Sequence, residues 1–121
     1  MNRELGEIIL ERDFKAKDDA GNISNIKLRI GKPEIDIELN KDHKNPEDIA
    51  WFCLHQITGI GSERINIGRG IDNLDAFLTT LKLADASLKF YARVYHKNIM
   101  WKGGNDLGLP SSGYENVVQD S

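Results

Sequence analysis

The chain is poor in cysteine, proline and aromatic residues, and it has no excess of positive charge. A single cysteine, Cys53, leaves nothing for an internal disulfide and excludes a zinc ribbon or a redox CxxC motif. The 3 prolines are scattered, and no repeat, low-complexity tract or domain linker is present. With 16 basic residues against 19 acidic ones the net charge is −3, whereas dedicated nucleic-acid binders usually carry a basic surplus. No apolar run approaches the length needed to cross a bilayer. The opening residues Met1–Glu7 hold no apolar export segment, which sets the expectation of a cytoplasmic protein without membrane or nucleic-acid partners.

What is present suits one globular domain. The 121 residues are 40% apolar and 29% charged. A chain of this mass buries about two-thirds of its unfolded surface, enough for a core without metal or disulfide staples. Residues 1–110 are expected to form that domain, with 111–121 as a flexible tail.

Strand periodicity opens the chain. From Glu7 to Lys17, Ile8, Leu10, Phe14 and Ala16 share one face and Glu11, Asp13 and Lys15 the other; Arg12 breaks the alternation and is expected inward or near an edge. Asp18–Asn22 reads as a turn, and Ile26, Leu28 and Ile30 alternate with Lys27 and Arg29 in a return strand. After Pro33, the alternation of Ile35, Ile37 and Leu39 with Glu34, Asp36 and Glu38 predicts a short, charged edge strand. Asn40–Asp48 reads as a surface loop. Ile49–Thr58 is apolar on both faces and predicts a central strand, followed by a Gly59–Ser62 turn and a strand over Arg64–Arg69.

The period then changes. Leu74, Phe77, Leu78, Leu81, Ala84 and Leu88 fall at spacings of three and four, predicting a helix from Asn73 to Tyr95 with Asp72 as N-cap and Asp75 as a capping-box acid. Asp85–Ser87 offers an early stop. Ile99–Trp101 reads as a last short strand, and Gly103–Asp106 as a turn. The order predicts an α+β, two-layer domain: a mostly antiparallel sheet with one long helix packed on a face.

Chemistry-bearing motifs are few. Gly59-Ile60-Gly61-Ser62 lacks the helix that a phosphate cradle needs behind its glycines. Gly68-Arg69-Gly70-Ile71-Asp72 does precede a helix, but Asp72 puts negative charge where an anion would sit; these glycines read as a strand-to-helix turn. Cys53 and His55 share a strand face at about 6–7 Å, too far for a direct nucleophile–base hydrogen bond, and a metal would need His43, His96 or carboxylates from elsewhere. His43 reads as a solvated loop residue. Phe90, Tyr91, Tyr95 and Trp101 mix with Lys89, Arg93, Lys97 and Lys102, a combination that stacks and neutralises single strands but equally builds an amphipathic rim. No cofactor, metal site or catalytic set is expected.

Acids are biased toward the first part of the chain: residues 1–48 hold 12 acids and 9 bases, residues 49–121 hold 7 of each. Glu34, Asp36, Glu38, Asp42, Glu47 and Asp48 are therefore the expected partner-facing residues.

Several stretches resemble an uncharacterised bacterial family, a domain of unknown function. They are Ile9-Leu10-Glu11-Arg12, Ile30-Gly31-Lys32-Pro33, the cysteine strand closing in Ile57-Thr58-Gly59-Ile60-Gly61, Gly70-Ile71-Asp72-Asn73-Leu74-Asp75-Ala76, Met100-Trp101-Lys102-Gly103 and Asp106-Leu107-Gly108-Leu109-Pro110. The resemblance spans roughly residues 8–110 and implies a compact single domain without assigning a catalytic residue. The chain departs from the pattern in the long charged stretch Glu34–Asp48, and at Leu54, where a proline commonly follows the cysteine. On these grounds the expected function is a small, non-enzymatic protein-binding module: an immunity or inhibitor protein that covers the active site of a basic bacterial toxin. The alternative is a small-molecule-binding protein or small enzyme using a pocket between helix and sheet.

Overall fold

Strand alternation and one long amphipathic helix assemble into a six-stranded antiparallel sheet with a helix on one face, an α+β arrangement, in a computed structural model that describes residues 4–41 and 49–111. The strands are β1 (Ile8–Lys17), β2 (Ile23–Gly31), β3 (Glu34–Ile35), β4 (Trp51–Thr58), β5 (Ile65–Gly70) and β6 (Asn98–Met100); the helices are α1 (Ile37–Asn40) and α2 (Asn73–Val94). β2 and β3 run in succession along the same edge of β4, because β5 occupies the other edge across Trp51–Gln56. The sheet therefore reads β5, β4, β2 with β3, β1, β6, and α2 carries the chain from one outer strand to the other.

The core lies between the sheet and α2. Phe14, Ala16, Ile26, Leu28, Ile30, Cys53 and Ile57 meet Ala76, Leu81, Ala84 and Leu88 of the helix, and Leu107 closes one side. Alternation thus identified the inner face of β2; on β4, apolar on both faces in the sequence, the structure turns Cys53, His55 and Ile57 toward the helix. It over-reached at the start of β1, where Ile8 and Leu10 are exposed rather than inward. A register shift between them breaks the period, and β6 pairs Lys15–Lys17, so among the described residues no strand lies beside the first part of β1 on that side.

Arg12, the misfit in the alternation, is explained by residues far along the chain. Its guanidinium lies 3.7 Å from the centroid of the Trp101 ring and donates to the carbonyls of Leu107 at 2.9 Å and Gly108 at 3.1 Å. Gly108 has φ +67°, and a Cβ there would stand 2.5 Å from the Trp101 ring. The Asp106–Pro110 motif is thus a strap pinned by Arg12.

α2 begins as its sequence predicts. The Asp72 carboxylate accepts from Asp75 N at 2.7 Å, and the Asp75 carboxylate accepts from Ile71 N at 2.9 Å, one residue before the cap. Asp72→Ala is expected to cost about 0.5–2 kcal/mol, the usual worth of an N-cap, read as a lower denaturant midpoint. A midpoint equal to wild type would refute the cap. The helix does not stop at Asp85–Ser87: Asp85 is buried, and its charge is met by Lys89 one turn on, at 3.0 Å. The last strand and the turn after it sit slightly earlier than expected: β6 ends at Met100, and Trp101 pairs back to Gly104.

The short edge strand expected over Glu34–Leu39 forms only at Glu34–Ile35. β3 ends at Ile35, and Asp36 caps a single helical turn, accepting from Leu39 N at 3.2 Å. Asn40 stitches that turn to the next strand by donating to Ala50 O at 2.7 Å and accepting from Ala50 N at 2.8 Å. An Asp four residues before an Asn satisfies backbone groups locally, and that outweighs five residues of alternation. The remaining loop residues, His43 among them, and the tail from residue 112 lie outside the described residues.

Candidate functional site

Three candidate sites occupy different parts of the molecule. The first is the Cys53–His55 pair on β4. Both side chains are fully buried beneath α2. The Cys53 thiol donates to Gly31 O at 3.2 Å, and burial pushes its pKa up to about 11. His55 Nδ1 lies 2.7 Å from Thr80 Oγ1, and burial lowers the imidazole pKa to about 4. His55 Nε2 has no partner among the described residues. The proton belongs on Nδ1, facing the Thr80 oxygen, since the other tautomer would bury an N–H without an acceptor. The two side chains therefore point their polar atoms at different neighbours, and His96 sits just past the far end of α2. No group of three or more His, Cys, Asp or Glu able to hold a metal occurs among the described residues.

A neutral, shielded thiol is a poor nucleophile. Cys53 is expected to resist a thiol reagent in the native protein and to react fully only in denaturant. Labelling of the native protein at the rate of a free thiol would contradict this burial.

The second place is the expected acidic segment, which the structure divides. Glu34 and Glu38 are exposed, Glu38 lying 3.9 Å from Lys41. Asp36 is not a surface residue: it is 5% exposed, caps α1, and holds the Arg69 guanidinium at 2.5 Å across β4. Its carboxylate is consumed by the fold, so it cannot face a partner. Asp42, Glu47 and Asp48 lie outside the described residues.

This segment carries a second feature that charge counting missed. Ile35, Trp51 and Gly70 form one row across β3, β4 and β5. From its two outer members the chain continues into α1 on one side and into Ile71–Leu74 on the other, so both segments lie at the same end of the sheet. That end exposes Ile37 (77%), Ile71 (73%), Leu74 (60%), Leu39 (54%) and Ile35 (43%). Lone exposed aliphatics are ordinary, but five of them at one end are not. Around them stand the exposed acids Glu34, Glu38, Asp72 and Asp75. Among the described residues no basic group lies within ion-pair distance of Glu34, Asp72 or Asp75. The signal in the sequence was the Ile35, Ile37, Leu39 series, which reads as a buried strand face only while a strand is assumed.

The third place is a cavity at the opposite end of α2, bordered by Phe90, Tyr91 and Tyr95. The aromatic–basic mixture near the chain's end is thereby split, because Trp101 stacks on Arg12 beside β1 instead.

The chain matches the family model described as Domain of unknown function (DUF6968) over residues 10–111, and it belongs to that family. No curated protein and no solved structure matches it. No helix among the described residues is long and apolar enough to cross a membrane.

Proposed function

We propose that this member of the DUF6968 family is a protein-binding module that docks a basic protein partner on the acid-rimmed apolar end of its sheet. One observation carries the reading: five large aliphatic side chains are exposed at that end, with Glu34, Glu38, Asp72 and Asp75 beside them. Apolar side chains at the centre of an interface supply the burial, and the acids steer a basic surface toward it. A tight complex needs about 800 Å² on each side, which a domain of this size can offer. The finer reading is an immunity or inhibitor protein, cytoplasmic and without enzymatic activity of its own, that covers the active site of a basic toxin. Small size, acidic balance and the absence of a catalytic set among the described residues support it. A toxin reading frame beside the gene would favour it further.

The test pairs affinity capture with kinetics. Wild type and an Ile37→Glu, Ile71→Glu variant serve as baits, and any protein recovered by the first and not the second is purified. Glu34→Lys with Glu38→Lys is then expected to slow association with that partner and flatten its salt dependence, since steering is screened over about 8 Å at physiological ionic strength. Recovery of every bound protein equally by both baits, or on-rates of the purified partner unchanged at low salt in the lysine variant, would remove this end from the interface.

A further inference from the structure

α2 is not equally close to the sheet along its length. Residues 64, 66, 68 and 70 share the face of β5 and its approach that looks toward the helix. Where that face has no side chain the helix descends to backbone contact: a Cβ at Gly70 would stand 2.3 Å from Ala76 N, and one at Gly68 2.5 Å from Thr80 N. Arg64 and Asn66 do carry side chains, and beside them a cavity of about 360 Å³ opens between the last turns of α2 and the β4–β5 hairpin. The glycine pair thus sets the wedge whose wide end is the cavity.

Its walls are aromatic and aliphatic on one side: Phe90, Tyr91, Tyr95, Ile57 and Ile60, with the two tyrosine rings 5.1 Å apart and inclined at 40°. The polar groups are Ser62, Ser87, Asn66 and Arg64. Among the described residues no carboxylate lines the cavity, Arg64 is its one charged lining residue, and no carboxylate lies within ion-pair distance of that guanidinium. At the helix end Tyr91 O accepts from Tyr95 N at 3.0 Å and Ala92 O from Lys97 N at 2.9 Å, so these two carbonyls are engaged.

We propose that this cavity is a binding site for a small aromatic carboxylate. Its ring lies against Tyr91 and Tyr95, its carboxylate is held by the Arg64 fork, and the Ser87 hydroxyl and Asn66 amide satisfy the remaining oxygen positions. A volume near the lower end of the range for ligand pockets limits the occupant to one or two fused rings. The site is independent of the docking surface, which lies at the other end of α2.

The probe is 2-naphthoate, titrated into the full chain and followed by amide chemical shifts and calorimetry. The expected result is saturable binding with shifts concentrated at Asn66, Ser87 and Tyr95. Loss of a charge-assisted contact is expected to weaken binding about tenfold or more, both in Arg64→Gln and with the neutral analogue 2-naphthylmethanol. Ser87→Trp, which fills the space without removing the cation, is expected to abolish binding while the remaining amide spectrum shows a folded chain. Any of three results overturns the proposal: no saturable shifts at millimolar probe, shifts centred elsewhere, or equal affinity for acid and alcohol with Arg64→Gln unchanged.

Discussion

Gly70→Ala is expected to destabilise the domain by about 3 kcal/mol, the upper end of what overpacking costs, and Gly68→Ala by a similar amount. Neither glycine needs a left-handed backbone; what each lacks is room. The new methyl at residue 70 would meet Ala76 N at 2.3 Å and Asp75 C at 2.6 Å, and at residue 68 it would meet Thr80 N and Cα at 2.5 and 2.7 Å. These are backbone atoms of a regular helix and cannot swing aside. The helix must lift, opening space beside Ala76, Ala84 and Leu88, all of which are fully buried. A domain of this size has a total stability on the order of 10 kcal/mol, so the double variant should lose about half of it or more. The measurement is the denaturant midpoint. Gly104→Ala is the control: only Trp101 O lies within 4 Å of its added methyl, at 3.9 Å, and the cost should stay within about 0.5 kcal/mol. Equal midpoints for Gly70→Ala and the control would mean that helix and strand do not touch at this point.

Acid should weaken the protein through His55 well above the pH at which ordinary carboxylates titrate. The fold holds this imidazole neutral, with its pKa lowered to about 4 from 6.5 because burial disfavours the imidazolium. Its cross-strand neighbours, Ile30 and Asn66, and its hydrogen-bond partner Thr80 supply no negative charge to compensate. In the unfolded chain the same ring takes up a proton as pH falls through 6.5. Between pH 6.5 and 4 the unfolded state therefore binds more protons than the native state, and stability declines as pH falls. The contribution is intact above 6.5 and fully lost below about 4, a change of about 3 kcal/mol from a shift of this size. His55→Gln keeps a polar side chain facing Thr80 and removes the titration. Its stability, whatever the value at neutral pH, should vary much less over this window than that of wild type. Parallel stability–pH curves for the two proteins would show that His55 is not the group responsible.

The elements that could be read from the sequence are those whose stabilising groups lie close together along the chain. Asp72 and Asp75 announce the helix start because a cap reaches only three or four residues. Ile26, Leu28 and Ile30 announce the inner face of β2 because the pleat repeats every two. The same locality explains the misreading of Glu34–Leu39. There two local signals compete, and the backbone groups satisfied by Asp36 and Asn40 outweigh a brief alternation. Once the turn forms, Ile37 and Leu39 no longer lie on a sheet face and stand exposed. One residue of the expected acidic site goes the same way: Asp36, whose carboxylate has to be placed beside Arg69, 33 residues on, before it is seen to be internal.

Composition, charge and periodicity by themselves determined that this chain forms one antiparallel sheet under one long helix, and where that helix begins. Only the tertiary structure decided what the odd residues do. Arg12 makes sense once Trp101 and Leu107 lie beside it. Gly68 and Gly70 matter because a helix rests on them, and nothing in the strand itself requires a glycine. The exposed aliphatics become a surface, and Arg64 becomes a cavity wall, when β5 and α2 are brought together. The reason is physical: periodicity and capping act over a few residues, whereas steric exclusion and burial depend on atoms that only the fold makes neighbours.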